Sequence, residues 1–363
     1  MPKKIAIIHD WLTGTRGGER ILEVLCELYP GATLFTLLHV KGSVSPRIEA
    51  MDIRSSFIQR LPFLKEHYRS YLPLFPGAIE RMDLSGFDVV LSVSHCVAKG
   101  AIPPPGAKSV CICLTPMRYV WDQADTYFPR SRPFKRAVVM PFVRHLREWD
   151  RRTADRVGHY VAISEFVAER IRRFYGKESE VIHPPVDCSR FAVKTNEVSD
   201  YYLIVSAFAP YKRVDLALEA LRDLNRPLKI VGKGQDEARL RRIASSNVEF
   251  LGPVSDEEVT RQLSRCRALI FCGVEDFGIV PLEALASGRP VIAFGQGGVL
   301  ETVEDGKTGV FFHEQTPQDL IDAIHRFEQM DFEPPVLRAA AERFDTPIFR
   351  ERIAEVISRE TGL

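Results

Sequence analysis

Val274-Glu275-Asp276-Phe277-Gly278-Ile279-Val280-Pro281-Leu282-Glu283-Ala284-Leu285-Ala286-Ser287-Gly288-Arg289-Pro290 is the stretch on which the reading of this chain turns. An apolar, strand-like run, Ala268–Phe271, precedes it. Pro281 suits the first turn of a helix, and Gly288 followed by Pro290 ends one. Strand, loop and helix in that order form the repeating unit of a parallel sheet covered on both faces. Glu275 then lies in the loop at the strand's carboxyl end, where open α/β sheets bind ligands. Gly278 lets backbone come close to a ligand, and the amides of Gly278, Ile279 and Val280 at a helix N-terminus can donate to phosphate. Glu283 sits eight positions after Glu275, one turn inside the helix. Two such carboxylates repel a phosphate but accept hydrogen bonds from sugar hydroxyls on either side of it. Alone, the pair would pass for solvated charges favoured by the helix macrodipole. The strand–loop–helix setting favours the ligand reading.

The same alternation extends outward in both directions. Lys4–Ile8, Ala32–Leu37, Val89–Ser92, Ser109–Cys113 and His159–Ile163 form a first series of short apolar runs. Tyr202–Ser206, Leu228–Val231, Val248–Leu251, Ala268–Phe271, Val291–Ala293 and Val310–Phe312 form a second. Longer amphipathic segments separate them, the pattern of parallel sheets buried on both faces. The stiff segment Val181-Ile182-His183-Pro184-Pro185-Val186-Asp187 divides the two series. The expectation is an α/β protein with one domain at 1–185, a second at 186–346 and a ligand cleft facing both. A final helix, about 347–360, is expected to pack back on the first domain. Length agrees, since 363 residues exceed what one core sustains, roughly 250–300.

Composition narrows the function classes. With 45% hydrophobic and 27% charged residues, the chain is neither disordered nor a coiled coil. Its 49 basic and 48 acidic side chains nearly cancel, which argues against a nucleic-acid partner. The halves differ, however: residues 1–185 carry 27 basic against 19 acidic side chains, and the remainder 22 against 29. Nine Lys/Arg fall between Arg130 and Arg156, interleaved with Phe134, Val138, Val139, Phe142, Val143, Leu146 and Trp149 around Pro141. A second mixed segment runs from Phe57 to Phe75. Such basic amphipathic stretches suit an anionic membrane surface, or else are ordinary helices whose apolar face is core. The start reaches His9-Asp10 too soon for a signal peptide, and no apolar run approaches the ~20 residues of a membrane span. Seven cysteines without a C-x-x-C pair read as buried thiols in a reducing compartment. A cytoplasmic chain, peripheral on the inner face of the cytoplasmic membrane, is the expected setting.

Further motifs join the acidic block: His9-Asp10-Trp11-Leu12 with Gly17-Gly18-Glu19, Ser94-His95-Cys96-Val97-Ala98-Lys99-Gly100, Thr115-Pro116-Met117-Arg118-Tyr119 and Pro210-Tyr211-Lys212-Arg213-Val214-Asp215. Together they resemble the retaining GT-B glycosyltransferases of family four, above all the bacterial mannosyltransferase-like members that build surface polysaccharides of the O-antigen type. The resemblance implies two Rossmann-like domains, a nucleotide-sugar donor on the C-terminal one, an acceptor on the N-terminal one, and no metal or other cofactor. Lys212 follows a strand and a Pro-Tyr turn, which places an ammonium where a departing diphosphate gains charge. The resemblance makes Lys212 and Glu275 the catalytic pair. It assigns Gly17, Gly18, Arg213, Phe277, Gly278, Ile279, Val280 and Glu283 to the donor, and His95, Arg118 and Tyr119 to the acceptor. The implied activity moves a hexose, mannose from GDP-mannose, to a polyprenyl-diphosphate-linked or polysaccharide acceptor.

Two positions depart from the family pattern. Leu114 stands where a histidine commonly precedes Thr-Pro, and Ala207 where an arginine is frequent five residues before the lysine. His95 is a candidate replacement for the first, and Arg213 or Arg118 for the second. The departures also raise an alternative, a non-catalytic nucleotide-sugar-binding homologue serving as a scaffold of glycan assembly. A nucleotide-sugar epimerase would need acid/base groups that the sequence does not place. Gly232-Lys233-Gly234 has Glu237 where a dinucleotide fingerprint needs glycine. Gly295-Gln296-Gly297-Gly298 is either a further anion or base-edge site or a plain turn.

Overall fold

The computed structural model describes residues 2–15, 17–122, 133–194 and 197–363, the side chains at 65, 66, 133, 135 and 138 excepted. It divides into two units, Met1–Pro185 with Phe349–Leu363, and Val186–Ile348. Among the described residues the first holds seven strands: β1 (Ile5–His9), β2 (Thr33–Thr36), β3 (Asp52–Ser55), β4 (Val89–Ser94), β5 (Lys108–Cys113), β6 (His159–Ala162) and β7 (Glu180–Val181). Their order is β3-β2-β1-β4-β5-β6-β7. The second holds β8 (Tyr202–Val205), β9 (Leu228–Val231), β10 (Val248–Gly252), β11 (Leu269–Phe271), β12 (Val291–Phe294) and β13 (Gly309–Phe312), ordered β10-β9-β8-β11-β12-β13. Every strand pairing is parallel, so the doubly wound α/β architecture expected from the alternation is present in both units. Strand order reverses between β1 and β4, and again between β8 and β11. Those reversals are where such sheets open a crevice.

Two strands escape the sequence pattern. β3 and β7 lie at the sheet edges and are mostly exposed or half-buried, so no continuous apolar run marks them. Elsewhere the pattern is the structure: β4 is buried along its whole length between β1 and β5. Helices follow the same logic. In Gly17–Leu28 the residues Ile21, Leu22, Val24, Leu25 and Cys26 form the buried face. The helix Glu165–Tyr175 starts under the Ser164 hydroxyl, which accepts the Val167 amide, and ends at left-handed Gly176. The helix Pro133–Thr153 runs through Pro141, and Val143, Leu146 and Trp149 on it are core side chains. Arg130 and Arg132 of the basic stretch lie outside the described residues, whereas Phe134 is 84% exposed. The closing helix Thr346–Thr361 belongs mostly to the first unit. There Arg350 pairs with Glu27, Arg352 donates to the Val181 carbonyl at 2.9 Å, and Arg359 reaches Glu180 at 2.6 Å.

Two buried ionic groups fasten the first unit. Lys99, 3% exposed, donates to the Asp150 carbonyl at 2.6 Å and the Thr153 hydroxyl at 3.0 Å, beside the Asp150 carboxylate. Asp150 in turn accepts from Trp121 Nε1 at 2.8 Å and the Tyr175 hydroxyl at 2.9 Å. The second group is Asp10, fully buried just beyond β1. Its Oδ1 accepts the amides of Val97 and Ala98 at 2.6 and 2.7 Å, and its Oδ2 those of His95 and Cys96 at 2.7 and 2.9 Å. One carboxylate thus gathers the turn after β4 onto the end of β1. Burial alone would raise its pKa; the His95 charge and hydrogen bond, then the His9 charge, outweigh burial and bring it down to about 2.

A carboxyl lowered from 3.8 to about 2 adds roughly 2 kcal/mol of stability, present above its ordinary pKa and lost as pH falls through 2. In Asp10→Asn an amide nitrogen replaces an acceptor oxygen and faces N–H donors. The expected cost near neutral pH is about 2–4 kcal/mol. Thermal melts of both proteins against pH test this. The gap should be widest above pH ~5 and shrink toward pH ~2, and a pH-independent gap would contradict the assignment.

Candidate functional site

In the second unit β8 runs into the single turn Pro210–Lys212, then Arg213 in a left-handed conformation (φ 50°), then the helix Val214–Asp223. β11, its neighbour across the reversal of strand order, runs into Gly273, Val274 and Glu275. A Cβ at Gly273 would lie 2.9 Å from both the Lys212 Cα and the Tyr211 carbonyl oxygen. Glycine is what lets these two loops touch. The contact brings together the two residues on which the sequence reading leaned hardest: Lys212 Nζ and Glu275 Oε1 form an ion pair, with side-chain exposures of only 17% and 13%. The Lys212 ammonium also lies 5.2 Å from the Tyr211 ring centre. Lys212, Val214, Cys272 and Gly273 line a small recess at the ends of β8 and β11.

The acidic loop is held from behind. Glu275 bridges Gly297 in parallel fashion, and the Gly298 amide donates to the Glu275 carbonyl at 2.9 Å. A Cβ at Gly298 would fall 2.3 Å from the Phe277 Cα, and one at Gly297 2.6 Å from the Glu275 carbonyl oxygen. The last two glycines of Gly295-Gln296-Gly297-Gly298 therefore support the 275–277 backbone, a role the sequence reading did not consider. Gly232 and Gly234 do the same for the loop after β8, packing on Ser206 and Phe208 backbone.

Gly278, left-handed at φ 93°, opens the helix Ile279–Ala286 and, as glycine, brings no capping side chain of its own. The first-turn amides lack intrahelical acceptors and are presented by Gly278, Ile279 and Val280. Glu283 is 7% exposed, so neither glutamate is a solvated surface charge. Phe277 joins the site through its backbone, next to Gly278. Its ring is 2% exposed and meets Phe344 at 5.7 Å, so it anchors the loop in the core. Arg213 Nε donates to Asp215 Oδ1 at 3.3 Å, which draws its charge toward the start of the next helix. Ala207 is exposed beyond β8.

In the first unit, Gly17 opens its helix and Gly18 packs tightly. A Cβ on Gly18 would come 2.6 Å from Leu114 Cδ1 and 3.6 Å from His9 Cε1. Leu114, one of the two departures, thus seats the Gly-Gly turn. His95 Nδ1 stands 3.1 Å from Asp10 Oδ2 with its side chain 29% exposed. The Tyr119 hydroxyl lies 2.6 Å from Cys96 Sγ and 3.4 Å from Met117 Sδ, and burial pushes that phenol well up. Arg118 is half-buried nearby in sequence.

Several neighbours had no role assigned to them from the sequence. His9, fully buried, meets the Val93 carbonyl through Nδ1 at 3.0 Å and Glu19 through Nε2 at 3.6 Å. Burial would push this imidazole down; the Glu19 carboxylate beside it outweighs burial and holds it up. Arg170, 6% exposed, donates to the Thr115 hydroxyl and, at 2.8 Å, to Asp122. Its only sequence signal is an arginine on the same helical face as Val167 and Ile171. Among the described residues no three His, Cys, Asp or Glu side chains group as metal ligands.

With this geometry in view, comparison with known proteins is informative. Residues 35–190 match the family model Glycosyltransferase Family 4, and residues 187–343 match Glycosyl transferases group 1. The O-antigen chain mannosyltransferase C of Escherichia coli is 33% identical over 148 residues, 38% of this chain and 40% of that protein. The human Alpha-1,3/1,6-mannosyltransferase ALG2 is 25% identical over 321 residues, 75% of this chain and 73% of that protein. Matches to several further curated relatives span only 19–37% of those proteins' lengths. Among solved structures, Anabaena Alr3699/HepE in complex with UDP and glucose superimposes with a TM-score of 0.73, covering 98% of this chain and 100% of that one, at 14% identity. At that identity the likeness speaks for the fold alone. The chain therefore has the GT-B fold, with residues 35–190 similar to a Glycosyltransferase Family 4 domain and residues 187–343 to a glycosyl transferases group 1 domain.

Proposed function

We propose that the protein is a retaining hexosyltransferase that moves mannose from GDP-mannose to a lipid-linked or polysaccharide acceptor in cell-surface glycan synthesis. The observation that carries the reading is the Lys212–Glu275 pair at the β8/β11 reversal, beside a helix that starts at Gly278. The choice of mannose is supported by the two mannosyltransferase relatives.

The chemistry follows from those groups. A donor diphosphate competes with Glu275 for the Lys212 ammonium and draws on the amides of Gly278, Ile279 and Val280. Glu275, released from the lysine, accepts hydrogen bonds from the sugar hydroxyls, and Glu283 from the ribose. As the glycosidic bond breaks, charge grows on the leaving oxygen. Lys212 meets that charge better in the transition state than in the ground state. The acceptor hydroxyl attacks from the face the diphosphate leaves and passes its proton to the departing diphosphate oxygen, so the anomeric configuration is retained. On the first unit His95 and Arg118 receive the acceptor, with Tyr119 beneath.

Acceptor delivery at an anionic membrane surface is part of the proposal. Phe57, Phe63 and Leu74 are 39%, 74% and 43% exposed, and Arg60, Arg69 and Arg81 are exposed around them. Each surface cation near anionic lipid is worth about 1 kcal/mol. No helix among the described residues is long and apolar enough to cross a membrane. A second reading, a non-catalytic nucleotide-sugar-binding scaffold, is favoured by Leu114, which puts an alkyl group against Gly18 where the family pattern has an imidazole.

Removing one charged stabiliser of the leaving group typically costs ~10²–10³ in kcat. Lys212→Ala should lose that much in GDP release from GDP-mannose and bind GDP more weakly. Glu275→Ala should lose rate while still binding GDP. If the wild type binds GDP-mannose yet transfers nothing to membrane extracts, the scaffold reading replaces the enzyme. Separately, Phe63→Ser should lower sedimentation with vesicles containing anionic phosphatidylglycerol and leave GDP binding intact; equal sedimentation would remove the membrane part.

A further inference from the structure

We infer that Gln315 is a positioning residue of the donor site: by holding the Cys272 carbonyl it fixes the peptide that leads into Gly273, and with it the place of Glu275 opposite Lys212. The inference rests on the glycosyltransferase reading and adds to it a residue from a third loop, the one that follows β13.

That loop has to cross the sheet to reach the site. β12 stands between β13 and β11, so the chain leaving β13 starts about 10 Å from the end of β11, two strand spacings away. It passes Gly295, where a Cβ would lie 3.1 Å from His313 Nδ1 and 3.3 Å from the Phe311 Cβ. Asp319 Oδ2 accepts the amides of His313 and Glu314 at 2.6 and 2.7 Å. The Thr316 hydroxyl accepts the Asp319 amide at 3.2 Å and opens the helix Pro317–Glu328. The loop is therefore pinned at its base by the first turn of a helix. From it Gln315, half-buried, donates through Nε2 to the Cys272 carbonyl at 2.9 Å, 43 positions away.

What Gln315 holds is the peptide that enters the site. The β11–β12 ladder ends where Phe271 pairs with Ala293, so the Cys272 carbonyl lies just beyond it. The peptide between Cys272 and Gly273 is planar, so fixing its oxygen fixes the Gly273 amide as well. Gly273 is the residue against which the Lys212 Cα and the Tyr211 carbonyl rest, and Glu275 follows two positions later. Gly297 and Gly298 hold the far end of the same loop at Glu275. Gln315 secures the near end, so the carboxylate that pairs with Lys212 stands on a segment anchored at both sides. The amide carries no charge of its own and acts through that segment. A shift of the loop moves the group that receives the sugar hydroxyls, and a misplacement of about 1 Å is enough to cost rate.

The experiment compares wild type, Gln315→Met, Gln315→Lys, Glu275→Ala and the double variant Glu275→Ala/Gln315→Met, measuring GDP release from GDP-mannose and the affinity for GDP. Gln315→Met keeps the length of the side chain and removes the donor; it should lower kcat about fivefold, the worth of one hydrogen bond. Its affinity for GDP should be that of wild type, because GDP carries no sugar for Glu275 to hold. Gln315→Lys, which can still donate to a carbonyl, should recover part of the loss. In the Glu275→Ala background Gln315→Met should cost nothing further, since both act through one carboxylate. An unchanged kcat, a loss that simply multiplies in the double variant, or a parallel loss of GDP affinity overturns the inference. Amide hydrogen exchange supplies a readout independent of turnover. Residues 272–275 should exchange faster in Gln315→Met while β12 keeps its wild-type rate; an unmoved 272–275 segment, or exchange that rises throughout the second unit, overturns the inference. Should the wild type release no GDP, the glycosyltransferase reading fails, and the exchange result alone decides whether Gln315 fixes the acidic loop.

Discussion

A charged side chain placed where strand order reverses is the constraint on which both halves of this protein depend. In the first unit it is Asp10, whose two oxygens collect four amides of the turn after β4. Without that carboxylate the turn would leave several N–H groups buried without acceptors, and the His95 ring would lose its orientation. In the second unit the corresponding position, between β8 and β11, is occupied by Lys212 facing Glu275. The two devices differ in purpose. The Asp10 contacts are closed and mostly backbone, so they stabilise. The Lys212–Glu275 pair joins two side chains that a charged ligand can separate, so it can exchange partners.

The glycines divide along the same line. Gly273, Gly297 and Gly298 exist because backbone must touch backbone, which fixes where the acidic loop stands. Gly278 does something else: its positive φ turns the chain so that a helix begins with its amides toward the loop. A ligand site on this scaffold is thus rigid behind and polar in front, the arrangement that preorganised electrostatics require.

What could be read from the sequence follows the range of the interactions. The strand–loop–helix block at 268–290 is local, so Glu275, Gly278 and Glu283 were legible, and so was Lys212 after its strand. The parallel architecture was legible because central strands are buried on both faces; edge strands β3 and β7 were not, because half-buried polar residues leave no period. Contacts spanning long separations were hidden. Asp10 lies 85 to 88 positions from the amides it accepts, and Arg170 lies 55 from Thr115. The packing of the Phe277 ring was hidden for a related reason: its neighbour Phe344 is remote in sequence.

The closing helix carries a consequence for how the chain is made. Because residues 349–363 belong with residues 1–185, the second unit is topologically an insertion within the first. A ribosome emits the whole seven-stranded sheet before Arg350, Arg352 and Arg359, which later fasten to Glu27, Val181 and Glu180, have been synthesised. The nascent amino-terminal half must therefore wait, incompletely covered, while the inserted half is translated. A stop before codon 350 would remove all three of these arginines and leave the first unit without that fastening.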